Sequence, residues 1–254
     1  MSKIPKVIIV AAGRGIRLKT LTNNKPKCLI KIRGKTILQR ILEIFRGCGI
    51  SDITVVRGYK RNLIKFPGLK YYDDINYQGI LGSLMFAQEE MNDEFIATYS
   101  DILFDKSIVE ALLESDKDIS LVIDTDWQEY YQGRTEHPIE EAENVVIENS
   151  KITKIGKHLT VEEAHGEFIG MVKFSKKGAE IFRKEFQRVK NMYTGKSFQK
   201  ATTFEKAYLT DMLQELIDQG IDIHPVKIRK SWWEIDTKQD LEKVIEIFNS
   251  LKKA

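Results

Sequence analysis

Residues 6–12, Lys-Val-Ile-Ile-Val-Ala-Ala, run straight into Gly13-Arg14-Gly15-Ile16-Arg17-Leu18. A continuous apolar, β-branched run that stops at glycine reads as a strand buried on both faces. Strands of that kind belong to mostly parallel sheets covered by helices, and such sheets bind ligands beyond the carboxyl ends of their strands. Glycines at that end let backbone N–H groups approach phosphate closely. The stretch therefore predicts a sheet and the place where it meets an anion.

Outward from it, the first half alternates strand and helix. Residues 36–45 put Ile37, Leu38, Ile41, Leu42 and Phe45 on one helical face. Strand-like runs follow at 53–56, 69–72, 94–99 and 119–123, with helical runs at 82–91 and 107–113 and Ser83 as an N-cap. This spacing predicts βαβ units. The second half is less regular. Residues 145–147 and 152–155 read as a hairpin, 168–174 as a strand, 177–189 and 204–219 as helices, and 221–228 and 232–235 as strands. A helix over 238–251 closes the chain. With no internal repeat or linker, residues 1–254 are expected to form one domain with a small β-containing insertion near 125–200.

The 254 residues are long enough to bury a sizeable core. Two cysteines, Cys28 and Cys48, exclude a disulfide framework, and no apolar run reaches a membrane-spanning length. The short apolar run near the N-terminus leads into a glycine turn and is too brief for a signal-peptide core. A cytoplasmic protein is expected, with no membrane partner. The four histidines show no metal-ligand spacing. Charge is uneven. Residues 1–70 hold 17 Lys and Arg against Glu43 and Asp52, a local +15, so with a total of +3 the remainder carries −12. That asymmetry suggests an anionic partner. Basic and aromatic residues do not interleave in 1–35, which argues against nucleic acid.

Two stock readings of the glycine loop fail. A dinucleotide fingerprint needs a third glycine where Leu18 stands, and the P-loop suggested by Gly34-Lys35-Thr36 would need its first glycine at Leu29. That Gly-Lys-Thr is better read as the start of a helix. What remains is Gly13-Arg14-Gly15-Ile16-Arg17-Leu18, then Leu21-Thr22, then Pro26-Lys27-Cys28-Leu29. This pattern resembles the nucleotidyltransferase family of sugar-1-phosphate nucleotidylyltransferases and phosphocholine/phosphonate cytidylyltransferases. Ile16 departs from the family's usual Ser/Thr, and Lys19-Thr20 stands where many members have a proline. The resemblance implies an α/β fold with a Rossmann-like, mostly parallel (mixed) sheet flanked by helices. It also implies nucleotide binding by the backbone of Ala11, Ala12, Gly13 and Gly15 and by groups near Gly82 and Ser83.

Attack on an α-phosphorus brings two polyanions together, so cations are needed. Arg17 offers a bidentate fork and Lys27 a compact charge to neutralise the triphosphate and the transition state. A divalent metal, Mg²⁺ or Mn²⁺, is expected beside them. Asp101 ends the strand at 94–99, and Asp236 ends the run Trp232-Trp233-Glu234-Ile235. The resemblance makes Tyr99-Ser100-Asp101 and Trp233-Glu234-Ile235-Asp236-Thr237 the two metal-binding segments. Asp236 is also placed to cap the helix at 238–251.

The segments Pro26–Leu29, Gly82-Ser83-Leu84-x-x-Ala87 and Trp233–Thr237 are closer to the cytidylyltransferase branch, which favours CTP. The acceptor is then a small phosphorylated or phosphonate molecule of the phosphocholine or 2-aminoethylphosphonate type. Its candidate contacts are Trp127, Tyr131, Arg134, His137 and Glu143, with Glu167 and Trp232: aromatics and acids suit an amine, and Arg134 and His137 suit a phosphonate or carboxylate. A solvated insertion with Trp127 and Tyr130 tucked onto the core is the competing reading of this segment. Two other functions stay open: a sugar-1-phosphate nucleotidylyltransferase using UTP, dTTP or GTP, and a non-catalytic nucleotide-binding regulatory protein. A homodimer also stays open.

Overall fold

The computed structural model of the chain describes residues 4–76 and 79–250. Strand β1 (Lys6–Ala11) leads through the glycine loop to the short pair β2 (Lys31–Ile32) and β3 (Lys35–Thr36) and to helix α1 (Ile37–Gly47). Thr36 caps α1, its hydroxyl accepting from the Gln39 amide at 3.0 Å, so Gly34-Lys35-Thr36 does begin a helix. Then come β4 (Ile53–Arg57), β5 (Lys70–Asp73), α2 (Gly79–Met85), β6 (Phe95–Tyr99), β7 (Ile102–Phe104), α3 (Lys106–Glu114) and β8 (Ile119–Asp124). The remaining elements are α4 (Trp127–Tyr130), β9 (Asn144–Glu148), β10 (Lys151–Gly156), β11 (Gly166–Phe174), α5 (Lys176–Tyr193), α6 (Leu209–Asp218), β12 (His224–Ile228), β13 (Trp232–Glu234) and α7 (Lys238–Ser250). Residue 251, the expected end of the last helix, lies outside the described residues.

The sheet runs β5-β4-β1-β6 in parallel, then meets β11 antiparallel. On its other edge β11 carries β8, which pairs with β12 in parallel. The expected mixed sheet is therefore present. Along β1, Val7 and Ile9 enter one core with the buried faces of α1, α3 and α7, while Ile8 enters a second with α2, α5 and α6. Alternation of side chains across a strand covered on both sides is why the run at 6–12 is apolar without interruption. No helix among the described residues is long and apolar enough to cross a membrane.

Strand β11 departs from β6 midway. It pairs with β6 only at Met171–Phe174, and its far end joins β9 through Gly166 and Glu167. The bend sits at Gly170, with φ +81°, where a Cβ would fall 2.2 Å from the Tyr99 ring. Only glycine fits there. The β9–β10 hairpin turns through Asn149 and Ser150, both at positive φ, as its short loop requires.

One local expectation changes. Ser83 is not a helix cap but lies inside α2, fully buried. Its hydroxyl is satisfied by Asp74 at 2.7 Å rather than by a helix N–H. Beyond Met85 the predicted helix tightens into a 3₁₀ turn at Gln88–Glu90.

Candidate active site

From β1 the chain travels out to β4 and β5 on one side and returns to β6 on the other. The carboxyl end of β1 is therefore a topological switch point, where open α/β sheets leave a crevice. The loops after β1, β4 and β6 converge on a cleft of about 690 Å³. Gly15, at φ +74°, lets the loop fold over Lys27: a Cβ there would lie 2.8 Å from the lysine Cβ. The Thr22 hydroxyl pins the loop by donating to the Gly15 carbonyl at 2.9 Å.

The ladder between β7 and β13 brings the chain's two distant acids together. Glu234 pairs with Ile102, and the Ile235 amide donates to the Asp101 carbonyl at 2.9 Å. Asp101 and Asp236 then face one another across Lys27. Its ammonium donates to Asp101 Oδ2 at 2.8 Å and to Asp236 Oδ1 at 2.6 Å, with the lysine side chain only 8% exposed. Arg17, half-exposed, lies 2.5 Å from Asp236 Oδ2. Asp236 is not the cap of α7. Thr237 is: its hydroxyl accepts from the Asp240 amide, and Asp240 Oδ2 accepts from the Thr237 and Asp236 amides. This box frees the Asp236 carboxylate for the cleft.

Charge crowding perturbs these groups. Burial pulls Lys27 down, but Asp101, Asp236 and Glu234 together raise it above an ordinary lysine. Burial would raise Asp236, yet Lys27, His137 and Arg17 hold it far below the usual carboxylate range. Asp101 Oδ1 is buried and has no hydrogen-bond partner among the described residues. A second carboxylate, Asp236, lies across the lysine from it. Two carboxylates with a free oxygen beside the glycine loop fit Mg²⁺, which takes one or two carboxylates and completes its shell with other oxygens. Donor atoms of His137, Glu234 and Asp236 also lie within 4.8 Å of one another. The histidines show no ligand spacing along the chain, but spacing reports only ligands on one element, and His137 reaches Asp236 (3.3 Å) from a separate segment.

The profile of the MobA-like NTP transferase domain matches residues 7–235 of this chain. The chain belongs to that family. It is a nucleotidyltransferase. A CTP:phosphoglutamine cytidylyltransferase from Campylobacter jejuni is 30% identical over 94% of this chain and 98% of its own length. A UTP–glucose-1-phosphate uridylyltransferase from Haloferax volcanii is 27% identical over 49% of this chain and 56% of its own. Among solved structures, the inositol-1-phosphate CTP transferase from T. maritima superposes with a TM-score of 0.75 at 19% identity, covering 100% of this chain and 99% of that one.

Within the nucleotidyltransferase the expected site residues fall into three groups. Arg17, Lys27, Asp101 and Asp236 converge, and Ala12, Gly13 and Gly15 line the same cleft, with Ala11 buried beneath. Tyr131, His137, Glu143, Glu167 and Trp232 also line it. Four expected contacts lie elsewhere. Gly82 and Ser83 sit inside α2, and it is Asp74, receiving the Ser83 hydroxyl, that borders the cleft. Trp127 is buried against Tyr131 and Ala142 in a small core of its own, anchoring the segment rather than reaching the cleft. Arg134 does not line the cleft. Its guanidinium is 1% exposed, donates to Asp240 at 2.8 Å and Glu234 at 3.2 Å, and stacks on Tyr130 and Tyr131. It ties the segment to α7 and orients His137, whose Nδ1 lies 3.0 Å from its Nη2. Trp232, though at the cleft wall, spends its indole N–H on Asp124 at 2.8 Å.

Sequence reasoning missed Glu234, Tyr99 and Lys157, which also line the cleft. Glu234 had a signal: two residues before Asp236 along an extended run, it shares that residue's side of the chain. Tyr99 and Lys157 had none.

Glu143 accepts from the Tyr99 hydroxyl at 3.1 Å. Burial pushes its carboxyl up to about 7, despite the opposing pull of Lys157 and Tyr99. Below the usual carboxylate range the group is protonated folded or unfolded and has no effect. As pH rises to about 7 the unfolded chain ionises first, so the fold loses stability, and above that the loss is complete. At about 1.4 kcal/mol per unit the loss reaches about 3 kcal/mol. Glu143→Gln should therefore match the parent near pH 4.5 and exceed its unfolding free energy by about that amount at pH 8.5. Denaturant titrations at both pH values check this, and a gap that does not widen with pH contradicts it.

Proposed function

We propose that this nucleotidyltransferase is a metal-dependent cytidylyltransferase that joins CTP to a small phosphorylated or phosphonate molecule, yielding a CDP-type product and pyrophosphate. The observation that carries the reading is the Lys27 ammonium shared between Asp101 and Asp236, beside Arg17 and at the mouth of the β1 glycine loop. CTP is favoured because the Campylobacter relative, similar over its whole length, is named for CTP, whereas the uridylyltransferase matches about half of this chain.

In the reaction an acceptor oxygen attacks the α-phosphorus in line, a new O–P bond forms, and the bond to the β-phosphate oxygen breaks to release pyrophosphate. The attacking oxygen of a phosphate or phosphonate is already ionised at neutral pH, so no side chain need remove a proton. Backbone N–H groups of Gly13 and Gly15 cradle phosphate. Arg17 and Lys27 neutralise the triphosphate and the charge that builds on the leaving group. Asp101 and Asp236 would hold Mg²⁺ or Mn²⁺, which would supply neutralising charge to the phosphates. To reach a bound triphosphate, the Lys27 ammonium would exchange its contacts with Asp101 and Asp236 for phosphate oxygens.

A panel of NTPs with varied phosphate and phosphonate acceptors, read by pyrophosphate release, tests the reading. CTP should be turned over and the other nucleotides poorly. Turnover of UTP, dTTP or GTP with a sugar phosphate, and none of CTP, would replace it by the sugar-nucleotide reaction. No release across the panel would leave a nucleotide-binding protein without chemistry.

A further inference from the structure

Between Trp127 and His137 the chain spends most of its polar groups on residues that lie 100 to 113 positions further along. Those residues are the end of β13 and the start of α7, which carry Glu234 and Asp236 to the cleft. Strand β13 is three residues long and pairs along one edge, with β7. Its outer edge leaves the Glu234 amide and carbonyl in need of partners. One hydroxyl serves both. Tyr130 Oη accepts from the Glu234 amide at 2.8 Å and donates to the Glu234 carbonyl at 2.7 Å. The Tyr130 ring also stacks on Trp232, with 5.3 Å between centroids.

Past Ile235, whose amide donates to the Asp101 carbonyl, the chain leaves the ladder. The Asp236 amide is then held by Asp240 Oδ2 at 3.0 Å. Asp240 Oδ1 is held in turn by Arg134 Nε at 2.8 Å, and Arg134 Nη2 reaches the Glu234 carboxylate at 3.2 Å. A guanidinium fork can meet two carboxylates in this way; a lysine ammonium on its single stem cannot hold the same geometry. Anchorage of the segment does not require these contacts. Trp127 fastens it through a small core, and Gln239 bonds the Thr135 amide at 2.9 Å and the Gly133 carbonyl at 2.8 Å. Tyr130 and Arg134 act instead on the backbone of Glu234 and on the carboxylate that fixes the backbone of Asp236. A backbone displaced there displaces both acids.

We propose that this segment is a brace for the end of β13, with Tyr130 and Arg134 as positioning residues that set the Glu234 and Asp236 carboxylates against Lys27 and Asp101. The inference rests on the metal-dependent reading for one arm of its test and not for the other.

Tyr71 supplies a matched control. Its hydroxyl brackets Phe66 in the same manner, accepting from the amide at 2.6 Å and donating to the carbonyl at 3.0 Å, outside the cleft. Tyr130→Phe and Tyr71→Phe each remove one hydroxyl and its two backbone bonds, so their thermal melts should fall together. Mn²⁺ affinity is read by electron paramagnetic resonance, and turnover by pyrophosphate release with CTP. Only Tyr130→Phe should weaken Mn²⁺ binding and lower kcat, each by about tenfold, with KM for CTP changed less than about twofold, the scale on which groups that orient metal ligands act. Arg134→Lys keeps the charge without the fork and should show the same pattern. Parental Mn²⁺ affinity and kcat in a folded Tyr130→Phe protein overturn the proposal. Equal losses in the two phenylalanine variants overturn it as well, because they report general loosening. If the parental protein binds no Mn²⁺, the metal reading fails and the kcat difference between the two variants decides the brace. If no acceptor releases pyrophosphate, the reaction fails and the Mn²⁺ difference decides it.

Discussion

Lys27→Ala is expected to lower kcat by about 10³-fold, the scale on which enzymes lose rate when one fixed cation or donor is removed from a developing charge. The side chain is buried and its ammonium lies between two carboxylates that converge from opposite ends of the chain. No neighbour can take its place: Arg17 is half-exposed and approaches Asp236 from the other oxygen. The same substitution should destabilise the metal-free protein, because Asp101 loses its one cation and Asp236 keeps only Arg17 and His137. Breaking a buried pair from one side costs about 3–5 kcal/mol. Millimolar Mg²⁺ should return much of that loss, since the variant offers a divalent ion two carboxylates that no longer share a lysine. Circular dichroism establishes the fold, thermal melts with and without Mg²⁺ read the stability, and single-turnover pyrophosphate release reads the chemistry. A folded variant that retains near-parental turnover removes Lys27 from the mechanism.

Asp236→Asn should reduce the rate about 10²-fold or more and shift the Mg²⁺ titration to higher concentration together with it. The carboxylate is held far below its usual range by Lys27, His137 and Arg17, so it stays ionised across the neutral range. The deficit should therefore stay constant from pH 6 to 9 rather than appear as a shifted titration limb. Because the α7 cap is Thr237 with Asp240, stability should change far less than activity. Parental activity at all Mg²⁺ concentrations would show that Asp236 only balances Lys27.

The geometry on the glycine-loop side of the cleft was legible because its determinants are local. A buried strand, a glycine at positive φ and a basic residue two positions on are decided by neighbours in sequence. The alternation of β1 between two cores follows from the same apolar run. Even Lys27, twelve residues past Gly15, belongs to that stretch, and the glycine exists partly to let it pass. The segment expected to meet an acceptor was misleading in detail. Arg134 and Trp127 have the residue types of a binding site, yet the first is consumed by Asp240 and Glu234 and the second by a small core. Nothing near residue 134 announces that its partners stand at 234 and 240.

What the amino-acid sequence determined unaided is the α/β sheet, the glycine–arginine loop at its switch point, and the two aspartates at strand ends. These follow from periodicity and from the steric rules of single residues. Only the tertiary structure decided that Asp101 and Asp236 share one lysine and that Glu143 and Glu167 line the cleft beside Lys157. Each of those depends on pairing across the β7–β13 ladder or on the bend of β11 at Gly170. Contacts of that kind join residues tens to more than a hundred positions apart, and their energies are settled by burial and by which charges end up adjacent, neither of which is written in the local sequence.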